Sequence, residues 1–395
     1  MGENLRISNR VKQMGTSAIH EMTRLSKQID DVAFLSWAKP TSDTPEHIKQ
    51  AAVQAIDHGL VGGYSAPLGL PALREAIANK LRRDNHVDAN AAEILVTVGA
   101  IEGLAAAVMT VVDPGDEVIV PSPTYATHIR QVLLASARPV VVPSDEEAGF
   151  MLDIEGIEKA ITKKTKAIMF ANPANPTGTV FTEEQLRQVA RLAREHNLAV
   201  ITDEAYEYFV FDEHKHFSLA SIPEMKEHVI SCYTFTKTYA MTGWRVGYVH
   251  AHEALIPEIR KPHIAFAICA PVVSQYAALG ALQGPQDCVE EFRGKYWAAR
   301  DLMCSRLDGL KAVFDYKKPG GSYLMFPRLL IEEGRTDSLT FCKKLLREAR
   351  VSTTPGIAFG PTGEGHLRMS FCVPQETINK AFDRMEHYFK RGTDG

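Results

Sequence analysis

A lysine preceded by two hydroxyl residues and followed by an arginine is the most informative chemical pattern in this sequence. Lys237 comes just after an apolar, β-prone run at residues 229–235, with Thr234 and Thr236 before it and Arg245 eight residues after it. A lysine fixed at the end of a strand, in a desolvated site flanked by cations, loses proton affinity and can form a Schiff base. Two hydroxyls and a guanidinium suit a phosphate dianion. The pattern therefore indicates a site for an aldehyde that carries a phosphate.

Polar residues also follow two other predicted strands. The segment Asn-Pro-Ala-Asn-Pro-Thr-Gly at 172–178 comes after the run that ends at Phe170, and Asp203-Glu204 comes after residues 198–202. Ligands of open parallel sheets bind at the carboxyl ends of the strands. A partly buried carboxylate there needs a cationic partner, such as a protonated ring nitrogen. A Mg²⁺ site is disfavoured, because the sequence has no Gly-x-x-x-x-Gly-Lys-Ser/Thr phosphate loop.

A glycine turn provides a further candidate anion site. Gly99 follows the predicted strand 94–98 and opens an apolar helix that begins with Ala100 and Ile101. The first backbone N–H groups of a helix are free to bind an anion, and the positive end of the helix dipole favours it. Many strand–helix junctions carry a glycine, so this signal has meaning only together with the others.

Taken together, these segments resemble the signature of the fold-type-I pyridoxal-phosphate enzymes, and specifically the class I, aspartate aminotransferase-like family. The matching segments run from about Tyr64 to Phe371 and keep the family's order. By this resemblance Lys237 is the Schiff-base lysine and the catalytic acid and base, and pyridoxal 5'-phosphate is the cofactor. The resemblance further implies that Thr234, Thr236 and Arg245 bind its phosphate.

The resemblance also assigns the remaining cofactor contacts. Asp203 matches the residue that binds the ring nitrogen, Asn175 and Tyr206 match those near the ring hydroxyl, and Tyr125 matches the residue that stacks on the ring. The backbone of Gly99, Ala100 and Ile101 would donate to the phosphate. Tyr64, in Gly-Tyr-Ser-Ala-Pro-Leu-Gly, matches the tyrosine that reaches the phosphate in the partner subunit, which implies a homodimer with shared active sites.

Substrate contacts follow from the same comparison. Arg368, in Gly-His-Leu-Arg-Met-Ser-Phe, matches the arginine that binds the substrate α-carboxylate, and Ala38 and Asn175 would lie beside it. Relatives mostly have glycine and an acidic residue where this chain has Ala38 and Lys39. They include an aspartate-using branch with a lysine in place of Ile101 that binds the side-chain carboxylate. The absence of a lysine at position 101 argues against an enzyme of that branch that is specific for dicarboxylates, although Arg260 or Lys261 could take the place of that lysine.

Composition excludes several other classes of protein. Of the 395 residues 45% are apolar and 23% charged, which is typical of a soluble globular protein, and the net charge of −4 with mixed signs gives no nucleic-acid-binding surface. The six cysteines are far apart, which favours free thiols over disulfides or a metal site. We expect neither a secretory signal nor a membrane span, and we place the protein in the cytoplasm.

The elements that must position these residues alternate between strands and helices. Short apolar runs lie at 94–98, 117–120, 139–142, 165–170 and 198–202. Helical patterns separate several of them, such as the apolar stripe of 183–196. This alternation predicts an α/β fold with a mostly parallel sheet sandwiched by helices. We expect a large cofactor-binding domain at 46–290, a small α+β domain at 291–395, and an N-terminal segment, 1–45, that packs with the small domain.

The predicted activity is a ping-pong transfer of an amino group between an L-amino acid and a 2-oxo acid. A carbon–sulfur β-lyase or another α,β-eliminating enzyme of the same fold is the alternative, because both reactions start from the same Cα carbanion. A transcription regulator built on this fold is disfavoured, since the residues before Tyr64 are too few for a DNA-binding domain. A nicotinamide dehydrogenase is disfavoured because no Gly-x-Gly-x-x-Gly follows a predicted strand.

Overall fold

The computed structural model describes residues 6–391, in which helices and strands alternate through the first two thirds of the chain. The α-helices are α1 Asn9–Gln13, α2 Ala18–Ser26, α3 Glu46–Asp57, α4 Pro71–Asn85, α5 Ala100–Val111, α6 Ala126–Leu134, α7 Ile154–Ala160, α8 Glu183–Glu195, α9 Phe235–Thr238, α10 Ile256–Ala267, α11 Val272–Gln283, α12 Asp287–Asp308, α13 Glu332–Arg335, α14 Ser338–Ala349 and α15 Gln375–Arg391. The strands are β1 Ala33–Phe34, β2 Ile94–Thr97, β3 Glu117–Ser122, β4 Arg138–Pro143, β5 Thr165–Ala171, β6 Ala199–Asp203, β7 Val229–Thr234, β8 Gly247–Ala251, β9 Phe314–Asp315, β10 Leu324–Met325, β11 Arg328–Leu329, β12 Val351–Ser352, β13 Thr354–Pro355 and β14 Leu367–Ser370.

A seven-stranded sheet forms the centre of the fold, in the order β2-β8-β7-β6-β5-β3-β4. Strand β8 runs antiparallel to both of its neighbours, and every other neighbouring pair is parallel. The parallel strands β3, β5, β6 and β7 therefore end at one edge of the sheet. That edge is where the sequence places its polar segments.

Helices cover both faces of this sheet, which explains why its inner strands are continuous apolar runs. All residues of β2, β3 and β6 but one are buried. The apolar stripe of α8, with Leu186, Val189 and Ala193, is buried and packs in one hydrophobic cluster with residues of β5 and β6. Helices α5 and α10 contribute to another cluster, which also includes residues of β7 and β8. Strands buried on both faces have no reason to alternate polar with apolar residues.

The two ends of the described chain pack together. Strand β1 pairs in parallel with β12, and one hydrophobic cluster joins Met22 and Leu35 to Phe341 and Phe382. A small antiparallel sheet, β10-β14-β13, belongs to the same part of the molecule. Helix α12 begins before the predicted domain boundary at residues 290 and 291 and continues through it. The exact division into domains stays a prediction.

The segment at 320–326 differs from the single strand that its sequence predicts. Only Leu324–Met325 pairs as a strand. The preceding backbone turns toward the 172–178 segment, where the N–H of Gly321 donates to the carbonyl of Gly178 at 2.8 Å. A Cβ atom at Gly321 would lie 2.8 Å from Cβ of Pro173, so only glycine permits this approach. The close contact joins the C-terminal part of the chain to the edge of the central sheet.

No helix within residues 6–391 is long and apolar enough to cross a bilayer.

Candidate active site

Lys237 lies on a one-turn helix rather than at the end of a strand. Strand β7 ends at Thr234, and α9 begins at Phe235. The Thr234 side chain caps this helix, because its Oγ1 accepts from the backbone N–H of Thr236 at 3.2 Å. The prediction that the strand itself ends on the lysine was wrong, since a hydroxyl residue at the strand end favours a helix start. The cap turns the chain so that Lys237 enters a cavity.

The Lys237 amine is buried among groups that fix its position. Its Nζ donates to the carbonyl oxygen of Ala38 at 2.8 Å and lies 5.9 Å and 5.7 Å from the ring centroids of Tyr206 and Tyr323. The Tyr323 hydroxyl donates to the same Ala38 carbonyl at 3.1 Å. Burial lowers the pKa of the Lys237 amine to about 8. About a tenth of the amine is therefore neutral and nucleophilic at pH 7, far more than for a lysine in water.

The glycine at the start of α5 makes room for a guanidinium. Gly99 has φ +74°, and a Cβ atom there would lie 2.6 Å from Nη2 of Arg245. Arg245 Nη1 donates to the carbonyl of Thr242 at 3.1 Å and lies 3.5 Å from Oγ1 of Thr236. The N-terminus of α5, two threonine hydroxyls and a guanidinium thus meet at one place. These are the donors that an anion such as phosphate requires.

Asp203 is the last residue of β6 and is 7% exposed. Its Oδ1 accepts from the backbone N–H of Ala205 at 3.2 Å, and its Oδ2 lies 3.3 Å from Nε2 of His128. His128 is fully buried, and its Nδ1 lies 3.0 Å from Oγ1 of Thr124. These contacts of Asp203 and His128 fix the carboxylate at the edge of the sheet. Sequence analysis missed His128, whose distance from Asp203 along the chain gives no signal.

A second buried pair supports the residue next to Asp203. Nε2 of His216 lies 2.5 Å from Oε2 of Glu204. Burial alone would lower the pKa of the His216 imidazole, but the Glu204 carboxylate outweighs that effect, so the pKa is raised. This hydrogen-bonded pair fixes the backbone that follows β6.

Arg368 lies on β14 and is 3% exposed. Its Nη2 donates to the carbonyl of Ser36 at 2.7 Å and to Oγ1 of Thr354 at 3.3 Å, and its Nη1 lies 3.5 Å from Oδ1 of Asn175. Its Nε has no hydrogen-bond partner among residues 6–391. Burial lowers the pKa of this guanidinium. A buried arginine with an unused donor and no carboxylate partner is suited to an anionic ligand.

Three tyrosines shape the site. Tyr125 precedes α6 and packs edge-on against His128 at 5.5 Å. Tyr206 packs edge-on against Tyr323 at 5.0 Å, and burial raises the pKa of the Tyr206 phenol well above its usual value. Tyr206 therefore stays protonated and remains a hydrogen-bond donor. Sequence analysis missed Tyr323, which a long stretch of chain separates from the other site residues.

One cavity of about 410 Å³ brings most of the predicted residues together. The predicted residues that line it are Ala38, Ala100, Ile101, Tyr125, Asn175, Asp203, Tyr206, Thr234, Thr236, Lys237, Arg245 and Arg368. Gly99 lies behind the lining, against Arg245. Tyr64 does not line this cavity, and its side chain is 82% exposed. Lys39, which the sequence analysis named as a departure from relatives, also lines the cavity, as do residues that it missed, among them Ser17, Ile19, His20 and Arg130.

The residues of this cavity fit pyridoxal phosphate, the cofactor implied by the sequence. The Lys237 amine with its lowered pKa, the buried carboxylate of Asp203 and a group of hydrogen-bond donors suited to a phosphate occur together. Gly99 leaves space at the N-terminus of α5. The similarity to a known family extends over most of the chain. Residues 31–385 match the model of the family described as aminotransferase class I and II. The chain belongs to this aminotransferase family.

Similar proteins cover nearly the full length of this family member. An aspartate aminotransferase of Pyrococcus abyssi is 40% identical, with 96% of this chain and 97% of that protein covered. Aromatic-amino-acid aminotransferase 2 of Thermococcus litoralis is 38% identical, with 97% and 98% covered. A crystal structure described as Pyrococcus protein-A1 has a TM-score of 0.93 at 38% identity, with 98% and 99% covered.

These comparisons confirm the resemblance, the α/β fold and the predicted activity. The chain is an aminotransferase, and transfer of an amino group is favoured over the alternative of carbon–sulfur elimination. Enzymes of this family use pyridoxal phosphate, and these relatives act on amino acids and oxo acids. The roles of individual residues are not decided by the comparisons and rest on the geometry described above.

The lowered pKa of Lys237 predicts a pH-dependent contribution to stability in protein freed of cofactor. The native amine loses its proton near pH 8, whereas the unfolded chain keeps it up to about pH 10.4. Between these values the unfolded state binds more protons, so the free energy of unfolding rises with pH. Urea unfolding of the wild type and of Lys237→Met should show the wild type gaining stability relative to the variant from about pH 8 to about pH 10.

The exposed Lys166 provides the control for this measurement. Lys166→Met removes a charge that stays in water, so we expect a change within about 0.5 kcal/mol that does not vary in the same way with pH. A difference between wild type and Lys237→Met that is constant from pH 7 to pH 10 would show that the amine is not desolvated.

Proposed function

We propose that this aminotransferase binds pyridoxal 5'-phosphate in the cavity around Lys237 and moves an amino group between an L-amino acid and a 2-oxo acid by a ping-pong mechanism. The observation that carries the proposal is the buried Lys237 amine, whose pKa is lowered to about 8, in one cavity with Asp203, Arg245 and Arg368. The Lys237 amine matches the cofactor aldehyde, and the Asp203 carboxylate matches the ring nitrogen. The guanidiniums of Arg245 and Arg368 match the cofactor phosphate and the substrate carboxylate, respectively.

The N-terminus of α5 and the residues around α9 would hold the phosphate. Backbone N–H groups of Gly99, Ala100 and Ile101 are the donors at the helix start, where the helix dipole favours an anion. The hydroxyls of Thr234 and Thr236, 2.7 Å apart, and the guanidinium of Arg245 complete the set. Glycine suits position 99, because its φ of +74° is one that L side chains rarely adopt and a Cβ there would lie 2.6 Å from Nη2 of Arg245.

The opposite end of the site would hold the ring. Asp203, fixed by Ala205 and His128, presents a buried carboxylate to the ring nitrogen and keeps it protonated. Tyr206 and Asn175 would donate to the ring hydroxyl oxygen, and Tyr125 would cover one face of the ring. When bound, the cofactor supplies an aldehyde for the substrate amine and a protonated ring that accepts the electrons of the Cα–H bond.

Lys237 would hold the cofactor and move the proton. Its Nζ would hold the cofactor aldehyde between turnovers and, when free, would be the base that takes the proton from the substrate Cα and the acid that returns a proton. A pKa of about 8 suits this role, since a general base works best when its pKa lies near the operating pH. The carbonyl of Ala38, 2.8 Å from Nζ, holds the amine on one side of the cavity between turnovers.

Arg368 would bind the substrate α-carboxylate. Its donors to Ser36 and Thr354 fix the plane of the guanidinium, while Nε has no partner within residues 6–391 and Asn175 lies 3.5 Å from Nη1. Ala38, in the same segment as Ser36, forms the neighbouring wall. Binding the carboxylate in this plane aligns the Cα–H bond with Lys237, which lowers the entropy cost of the proton transfer.

A homodimer with shared active sites is part of the proposal. Tyr64 is 82% exposed, and apolar side chains are exposed nearby in sequence and on the contacting helices α5 and α10, namely Leu60, Ile101, Met109, Ile264 and Phe266. Exposed apolar residues on adjoining helices are typical of an interface. We place Tyr64 of each subunit at the phosphate of the other.

The domain division and the compartment are also proposals. A large cofactor-binding domain at 46–290 and a small domain at 291–395, with segment 1–45 packed on it, are supported by the pairing of β1 with β12 and by their common hydrophobic cluster. The six unpaired cysteines favour a reducing compartment such as the cytoplasm.

The Lys237→Ala variant tests the proposed role of the amine. Borohydride reduction followed by mass spectrometry should attach the cofactor to the wild-type chain at Lys237 and not to the variant. Turnover should fall by about a hundredfold to ten-thousandfold, because the general acid and base is lost. Lys166→Ala, at an exposed site, is the control and should behave like the wild type. A Lys237→Ala variant that transaminates normally would refute the assignment.

The Tyr64 proposal is tested by mixing two inactive variants. A Lys237→Ala chain and a Tyr64→Ala chain, refolded together in equal amounts, should recover up to about a quarter of the wild-type active sites, because half of the dimers are mixed and one of their two sites is intact. The separately refolded variants give the baseline. If each chain's Tyr64 serves its own cavity, no mixed site is intact, and mixing would restore nothing.

A further inference from the structure

The charges that line the active-site cavity do not balance. Within residues 6–391, the lining contains five lysines and arginines, Lys39, Arg130, Lys237, Arg245 and Arg368, besides His20, and one carboxylate, that of Asp203. An excess of cations around a small cavity attracts anionic ligands and raises their local concentration. The number and positions of these cations therefore bear on which substrates the enzyme accepts.

The proposed function uses three of the five cations and the single carboxylate. In that scheme Lys237 binds the cofactor aldehyde and moves the proton, and Asp203 pairs with the ring nitrogen. Arg245 binds the cofactor phosphate, and Arg368 binds the substrate α-carboxylate. Lys39 and Arg130 have no role in that scheme. A substrate with one carboxylate leaves both of them without an anionic partner inside the cavity.

Arg130 differs from Lys39 in burial and in position. It lies in α6, five residues after Tyr125, and its side chain is partly buried, whereas Lys39 is exposed. Among residues 6–391, Arg130 makes no hydrogen bond, ion pair or ring contact. By contrast, the partly buried Arg306 is paired with Asp383 and Glu386. A partly desolvated guanidinium without a carboxylate is costly unless a ligand provides one.

We propose that Arg130 binds the second carboxylate of a dicarboxylic substrate, an acidic amino acid or its 2-oxo acid, and so determines substrate specificity. The inference rests on the proposed function, because it takes the α-carboxylate to lie at Arg368. A guanidinium at the cavity wall offers two parallel N–H donors to the distal carboxylate, a geometry that a neutral side chain of equal length cannot satisfy.

This assignment revises the expectation drawn from the sequence. Ile101 gives the cavity an aliphatic side chain in place of a lysine, and Arg260 and Lys261 were the suggested substitutes. Neither of these two lines the cavity, and Lys261 pairs with Glu258 on the surface of α10. Arg130 supplies the missing cation from a different helix, so the absence of a lysine at position 101 does not exclude a dicarboxylate substrate.

The test compares substrates in the holoenzyme and in the variants Arg130→Gln, Arg130→Lys and Lys39→Gln. The substrates are aspartate and glutamate, with asparagine, glutamine and alanine as neutral comparators. Arg130→Gln should lower kcat/KM for the two acidic substrates by about ten- to a hundredfold, the effect of losing a hydrogen bond between charged groups, mostly through KM. Rates with the neutral substrates should stay within about twofold. Arg130→Lys should restore part of the loss, because it keeps the charge without the planar fork.

Binding without turnover gives a second measurement. Maleate, a dicarboxylate that cannot react, should bind the wild-type holoenzyme more tightly than acetate does, as measured by calorimetry, and Arg130→Gln should remove most of that difference. Equal losses for acidic and neutral substrates would overturn the proposal, as would a loss confined to Lys39→Gln.

The two proposals fail in different ways. A wild-type enzyme that converts neutral amino acids and ignores acidic ones would overturn the role of Arg130 while leaving the proposed function intact. An enzyme that converts no amino acid at all would overturn both.

Discussion

The rest of the site depends on the desolvation of one amine. Lys237 is enclosed by Ala38, Tyr206 and Tyr323, and this enclosure lowers its pKa to about 8. Burying an ammonium group without a carboxylate beside it is unfavourable, so the neutral amine is stabilised relative to the charged one. Desolvation of the amine reduces the stability of the empty site, and it also makes Lys237 a nucleophile and a base. A lysine in water would offer neither role at neutral pH.

The fold brings segments that are distant in sequence together around the Lys237 amine. The edge of the parallel sheet supplies Asp203, and the start of α5 supplies the helix N-terminus. The packed ends of the chain supply the carbonyls of Ser36 and Ala38 together with Arg368. Long-range hydrogen bonds join the two regions, such as Lys237 to Ala38 and Gly321 to Gly178. The site therefore exists only when both regions are folded and packed together.

Much of this could be predicted because local sequence determines it. The buried strands are apolar runs, so β2, β3, β5 and β6 were placed within a residue or two of their observed bounds. Residues such as Asp203 and Asn175 follow strands directly and carry motifs of their own. The short helix at Lys237 was missed because a Thr cap at a strand end and a continuing strand have similar composition. His128, Tyr323 and Arg130 were missed because their roles come from tertiary contact, which no local pattern encodes.

The most direct test of the account is a visible spectrum of the purified holoenzyme, recorded while single amino acids are added without any oxo acid acceptor. We expect one or more amino acids to convert the cofactor band to the amine form, which absorbs at ~330 nm, because the first half of a ping-pong transfer needs no acceptor. A band that persists while pyruvate and ammonia accumulate would mean elimination instead. A protein that shows no band after pyridoxal phosphate is added would contradict the account at its centre.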